Sequence, residues 1–216
     1  MKKFLLAALT VLVLTVSAFA DFHVAKKNHM QNMDPGRCAW CALETLGRTL
    51  GWKSLEGCRD RNERGAYRED MIAELDKCKV RYRVHWPKEG EHFYHVIHIP
   101  QGKTKQTWIG VRRSEAAAKK LMRSSDSEGV YWIERRLHWS TEFIRDALDD
   151  GLGVAVSLDI QTGKHSRHMV VVVGMDDDTV RIVDSNWKAG TIREESMAWF
   201  VTHFNGFALV IERPRK

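Results

Sequence analysis

Apolar positions recur at helical spacing in "AWCALETLGRTLG", where Trp40, Leu43, Leu46 and Leu50 share one stripe and Gly51 offers a stop. The spacing predicts a helix from Ala39 to that glycine. Residues 53–78 look helical in pieces, "REDMIAELDKC" most clearly. "KVRYRVHW" then alternates apolar and polar residues, as an edge strand does. "HFYHVIHIP" reads as a strand ended by Pro100, followed by the turn "QGKTK" and a second strand, "QTWIGV". "RSEAAAKKLM" is a short helix behind a Ser cap, and "GVYWIERRLHW" is ambiguous. The final third is sharper. "STEFIRDALDDG" opens on a Ser/Thr cap, closes on Gly151 and sets Phe143, Ile144, Ala147 and Leu148 on one face. "GVAVSLDI" is a strand, "HMVVVVGM" and "TVRIVDSNW" form a hairpin with an apolar core face around the turn "DDD", and "GFALVIERP" is a terminal strand. A helical first part followed by an antiparallel sheet makes the fold class α+β.

The first twenty residues stand apart from this pattern. Lys2 and Lys3, an apolar run from Phe4, and Ala18-Phe19-Ala20 have the layout of a signal peptide cleaved after Ala20. The expected mature protein, residues 21–216, is a single exported domain, periplasmic or extracellular, with no membrane span after cleavage. Of the 216 residues, 196 then remain, enough for a sizeable core. The net charge of +6 falls to +4 without the two leader lysines. Basic residues are scattered among acids, as in "CRDRNERGAYRED", which argues against a nucleic-acid partner.

Four cysteines, Cys38, Cys41, Cys58 and Cys78, lie in the first third of the mature chain. Export permits two disulfides; a catalytic thiol would leave one bridge and one spare. Cys38 falls where the first helix begins, behind Asp34-Pro35-Gly36. Unpaired N–H groups and the positive end of the helix dipole stabilise a thiolate there. Such a nucleophile needs a base and a group to orient it. His168 opens the strand "HMVVVVGM", and its hairpin partner ends at Asp184, sixteen residues on, so the two ends return to each other; Asn186 is close enough to compete as orienter. Gln31, seven residues before Cys38, could give its side-chain amide to an oxyanion beside the Cys38 N–H, with Asn32 as the alternative.

The blocks "QNMDPGRCAWCAL" and "RHMVVVVGMDDDTVRIVDSN" resemble those of the papain-like clan of cysteine peptidases. They are most similar to the bacteriocin-leader-processing type, which cuts after double glycine. The resemblance covers both blocks and little of residues 55–140. It implies a papain-like fold, cysteine peptidase activity through an acyl-enzyme, Cys38 as nucleophile, His168 as base, Asp184 as orienter and Gln31 as oxyanion donor. Where the family has Gly after the Cys, this chain has Ala39; its Gln spacing is one longer, and Ser185 stands where Pro usually follows the Asp. A second register within the clan implies Cys41 as nucleophile, Cys38 paired with Cys78, and Asn186 as orienter.

Other patterns support less. His92, His95 and His98 on one strand point two one way and one the other, so they do not converge on an ion. A zinc site from Cys38, Cys41, His165 and His168 lacks the usual second Cys pair, so no metal and no cofactor is expected. Eight tryptophans could line a groove, but core packing accounts for most; Trp187 is the exception, beside the expected triad. The expected partner is a peptide or protein substrate. The rival functions are a non-catalytic peptide-binding module and a thiol-disulfide oxidoreductase using Cys38 and Cys41.

Overall fold

The stripe of Trp40, Leu43, Leu46 and Leu50 folds as helix α1, Cys38–Leu50, and all four side chains are buried. Gly51 ends it in the left-handed region, with φ 90° and its N–H on the Gly47 carbonyl. A computed structural model describes residues 22–33, 36–86, 90–100, 107–124, 129–160 and 167–215. The expected leader, Asp34, Pro35, the turn after Pro100 and His165 lie outside the described residues, as do the side chains of His98, Trp108 and Trp132.

After α1 come two short helices, α2 (Cys58–Arg61) and α3 (Arg68–Lys77). The Asp70 carboxylate accepts the Tyr67 N–H at 2.8 Å where α3 starts. Strand β1, Tyr82–His85, is an edge strand, as its alternation predicts. The middle of the chain forms β2 (Glu91–Pro100), β3 (Thr107–Arg112), helix α4 (Glu115–Ser124) and β4 (Gly129–His138). These strands make a separate antiparallel sheet in the order β3-β2-β4, with α4 packed on it. The segment of ambiguous period is therefore β4. β2 turns His92 outward to Arg135, whereas His95 is fully buried and stacks on His138 with ring centroids 4.5 Å apart.

Helix α5, Glu142–Asp149, leads into β5 (Gly153–Leu158), β6 (His168–Met175), β7 (Thr179–Val183), β8 (Arg193–Ser196), α6 (Met197–His203) and β9 (Phe204–Ile211). Six strands form one antiparallel sheet in the order β1-β9-β5-β6-β7-β8. α1 and α5 both pack against β5 and β6. Every residue of β5 and β6 is buried, so the centre of this sheet is covered on both faces, not on one as the hairpin pattern suggested. Gly153 makes the close approach possible: a Cβ there would meet Leu46 Cδ2 at 2.6 Å and Leu50 Cδ1 at 3.0 Å. The architecture is α+β, with the helical part carrying Cys38 and the sheet carrying His168 and Asp184.

Two expectations need correction. All four cysteines are free thiols, so two bridges, one bridge with a spare beside a catalytic thiol, and a Cys38–Cys78 pair are all absent. Residues 188–203, which the apolar pattern left unassigned, hold β8 and α6. Among the described residues no helix is long and apolar enough to cross a membrane.

Candidate active site

Gly36, with φ 93°, turns the chain into α1 in a conformation that side chains disfavour. Arg37, the N-cap, offers no side-chain acceptor to the first turn. The orphan N–H groups of the helix start are therefore left for other partners. Cys38 is the first helical residue, and the groups that act most strongly on its sulfur are the His168 side chain and the N–H groups of Met169 and Ala39.

His168 opens β6 opposite Leu158 of β5, so its backbone is held from the sheet side. β6 and β7 pair Val171 with Val183, and the residue that follows β7 is Asp184. The Asp184 carboxylate thus arises one same-face step from His168, and His168 Nε2 meets its Oδ1 at 2.7 Å. A carboxylate only accepts, so Nε2 carries the hydrogen and Nδ1 is left for Cys38. Asp184 Oδ1 also accepts the Asn186 N–H at 2.9 Å, and Arg193 Nη1 lies 3.4 Å from Oδ2. His168 and Asp184 are each only 2% exposed.

The electrostatics favour an ion pair. Burial opposes charge on the Cys38 sulfur, but the His168 hydrogen bond and charge with the two backbone N–H groups outweigh it, and its pKa falls below the ordinary thiol value. Burial also opposes charge on His168; the bonds to Asp184 and Cys38 prevail and raise it to about 9. For Asp184 burial works upward, yet His168, the Asn186 N–H and Arg193 hold its pKa below the usual carboxylate range. The three groups titrate as a coupled unit that favours thiolate and imidazolium.

The remaining sequence candidates fall around this row. Cys41, one turn into α1, is fully buried, and burial pushes its thiol up to about 12, so the second register meets a protonated sulfur inside the core. The Asn186 side chain turns toward Asn32, accepting its Nδ2 at 3.2 Å, while Asp184 occupies His168. Gln31 gives its side-chain amide to the Trp187 carbonyl at 3.1 Å. The Asn32 N–H bonds the Ser185 carbonyl at 2.7 Å. Both amides proposed for the oxyanion therefore lie against the loop that follows Asp184. Among the described residues no three His, Cys, Asp or Glu side chains gather in a metal-ligating group.

Two residues were missed. His29 is buried, bonded to the Asp184 carbonyl at 3.0 Å and to the Gly190 N–H at 3.0 Å. Arg193 reaches Asp184 with its guanidinium carbon 5.5 Å from the Trp187 ring centroid and 4.9 Å from that of Trp199. A lone His in an irregular segment carries no sequence signal. Arg193 sits in the stretch that the pattern left unassigned.

No protein-family model matches the chain, and no curated protein matches it. Among solved structures it is similar to the peptidase domain of Streptococcus ComA, a bi-functional ABC transporter involved in a quorum sensing pathway. The identity is 13%, over 86% of this chain and 97% of that one, with a TM-score of 0.47.

Proposed function

We propose that this protein is an exported cysteine peptidase, or a closely related thiol amide hydrolase, on a papain-like scaffold. One observation carries the reading: a sulfur at an uncapped helix start lies under the influence of a buried histidine, and that histidine is hydrogen-bonded to a buried carboxylate. Together they supply nucleophile, base and orienter in one place.

The Cys38 thiolate attacks the amide carbonyl carbon, forming a C–S bond and a tetrahedral oxyanion. Cys38 opens α1 with no side-chain cap, so its own N–H is available to that oxygen, and the Gln31 amide, whose second hydrogen is not used by Trp187, is the proposed partner donor. The C–N bond then breaks as the His168 imidazolium gives its proton to the leaving amine. A thioester remains on Cys38. Water attacks it while His168 takes the water proton, the C–S bond breaks, and a carboxylic acid product leaves. Asp184 holds the ring and its charge throughout. The burial of Cys41 weighs against a Cys38–Cys41 redox couple, and the free Cys38 thiol weighs against a disulfide-locked binding module.

The test combines labelling with turnover. A neutral alkylating reagent at pH 7 should modify Cys38 faster than it modifies a free cysteine, and a mixed peptide library should be cut by the protein but not by Cys38→Ala. Labelling of Cys38 no faster than free cysteine, with no cleavage of the library, would defeat the proposal.

A further inference from the structure

The loop from Asp184 to Gly190 closes around one buried side chain. His29 binds both of its ends, the Asp184 carbonyl through Nε2 and the Gly190 N–H through Nδ1, each at 3.0 Å. A backbone N–H only donates, so Nδ1 must accept; a carbonyl only accepts, so Nε2 must donate. The two bonds together define one neutral tautomer, with its proton on Nε2. A doubly protonated ring would face the Gly190 N–H with a second donor.

The neighbours of His29 in sequence extend this contact. Gln31 bonds Trp187, and Asn32 bonds Ser185 and Asn186. The segment thereby lies along the loop from end to end. Gln31 and Asn32 are partly exposed, whereas His29 is 5% exposed and is the buried member of the set. The loop it closes carries the carboxylate that orients His168.

We infer that His29 is a positioning residue: its Nε2–H fixes the Asp184 backbone so that the carboxylate stays in line with His168 Nε2, and through that line it sustains the reactivity of Cys38. The inference rests on the proposed peptidase reading, since it concerns the same triad. It gives His29 no contact with substrate. Without the His29 bond the Asp184 carbonyl keeps only the Trp187 N–H, at 3.0 Å, a contact within its own loop, and that loop is no longer tied at this end to the segment before α1. The His168–Asp184 bond then loosens, the imidazolium loses its counter-charge, and less thiolate forms at neutral pH.

Two substitutions separate the halves of the bridge. In His29→Gln the side-chain nitrogen stands near the place of Nε2 and keeps the donor to Asp184. In His29→Asn the side-chain oxygen stands near the place of Nδ1 and keeps only the acceptor for Gly190. The rate of Cys38 alkylation against pH is measured for the unsubstituted protein and both variants. His29→Gln should stay within about threefold of the unsubstituted rate at pH 7, while His29→Asn should fall about tenfold with its midpoint moved to higher pH, the scale of one lost buried hydrogen bond. A purely structural role would lower thermal stability in both and leave the midpoint where it was. Equal behaviour of the two variants, or an unchanged profile in His29→Asn, overturns the inference.

A measurement on the unsubstituted protein decides the matter should neither variant fold. Ring nitrogen shifts of His29 must report a neutral imidazole protonated on Nε2 across the pH range of Cys38 reactivity. A proton on Nδ1, or a charged ring in that range, refutes the role assigned to it. The two levels of the proposal remain distinguishable. An unsubstituted protein without a reactive Cys38 sinks the peptidase reading. A reactive Cys38 that ignores His29→Asn sinks only the positioning role.

Discussion

Cys38 and His168 titrate against each other, and the direction of each shift sets a pH window. The Cys38 pKa is lowered, so the thiolate is present from below the ordinary thiol range upward; that of His168 is raised to about 9, so its proton is lost only as the pH climbs through that value. The proposed peptidase activity should therefore rise on the thiolate limb and fall near pH 9 as the leaving amine loses its acid. Asp184→Ala removes the bond that keeps His168 charged. The upper limb should move down, the lower limb should move up, and kcat/KM should fall about a hundredfold or more, by comparison with loss of the orienting carboxylate in serine triads. Cys41→Ala should leave both limbs in place. A Cys41→Ala variant that loses its activity while Cys38→Ala keeps it would reassign the nucleophile. Hairpin length made the pair legible, because it returns Asp184 to the end of the strand that His168 opens; that both share a face depends on the bulge between Val172 and Gly174, which the sequence pattern did not show. It could not make His29 legible, because that histidine has no period, cap or partner near it in the chain.

At the scale of elements, the sequence was readable where one face of a segment is dry and the other wet. α5 has that contrast, and its bounds fall within a residue or two of the pattern; α1 was readable from its apolar spacing and glycine stop although none of its residues is exposed, and β1 begins three residues into its alternating run. β4 lacked the contrast because Arg135 and Arg136 interrupt its apolar run. The signals of α6 were present: Ser196 accepts the Trp199 N–H at 3.1 Å, and Met197, Phe200 and Val201 are buried at helical spacing. Seven residues are too few for that spacing to stand out. The element that sets the site is α1, and its seat on the sheet depends on Gly153. Gly153→Ala forces a Cβ into Leu46 and Leu50, and overpacking of this kind costs roughly 1–3 kcal/mol. Chemical denaturation should register that loss. Because the helix start moves with the helix, Cys38 alkylation should slow in the folded variant as well. An unchanged midpoint of unfolding would mean that α1 has slack against β5.

On the scale of the whole molecule, the thiols and the proposed export must be reconciled. An oxidising compartment favours bridges, yet the four cysteines are unpaired and differ in reach. Cys41 and Cys58 are fully buried, and burial raises both thiols; Cys78 is half-buried, its Sγ donating to the Ser54 carbonyl at 3.1 Å, and burial with the nearby Glu74 raises it too. Only Cys38 is shifted toward the thiolate. Thiolate chemistry is what oxidation requires, so three of the four cysteines are protected by protonation and burial, and a core spanning both sides of the large sheet supplies stability without cross-links. The expected outcome is a graded reaction of the unreduced protein with an alkylating reagent: Cys38 first, Cys78 far more slowly, Cys41 and Cys58 only after unfolding. Intact mass should then rise by four adducts in denaturant with no reductant added. Fewer than four adducts until a reductant is supplied would reveal a bridge, and a bridge that includes Cys38 would remove the nucleophile on which the proposed chemistry depends.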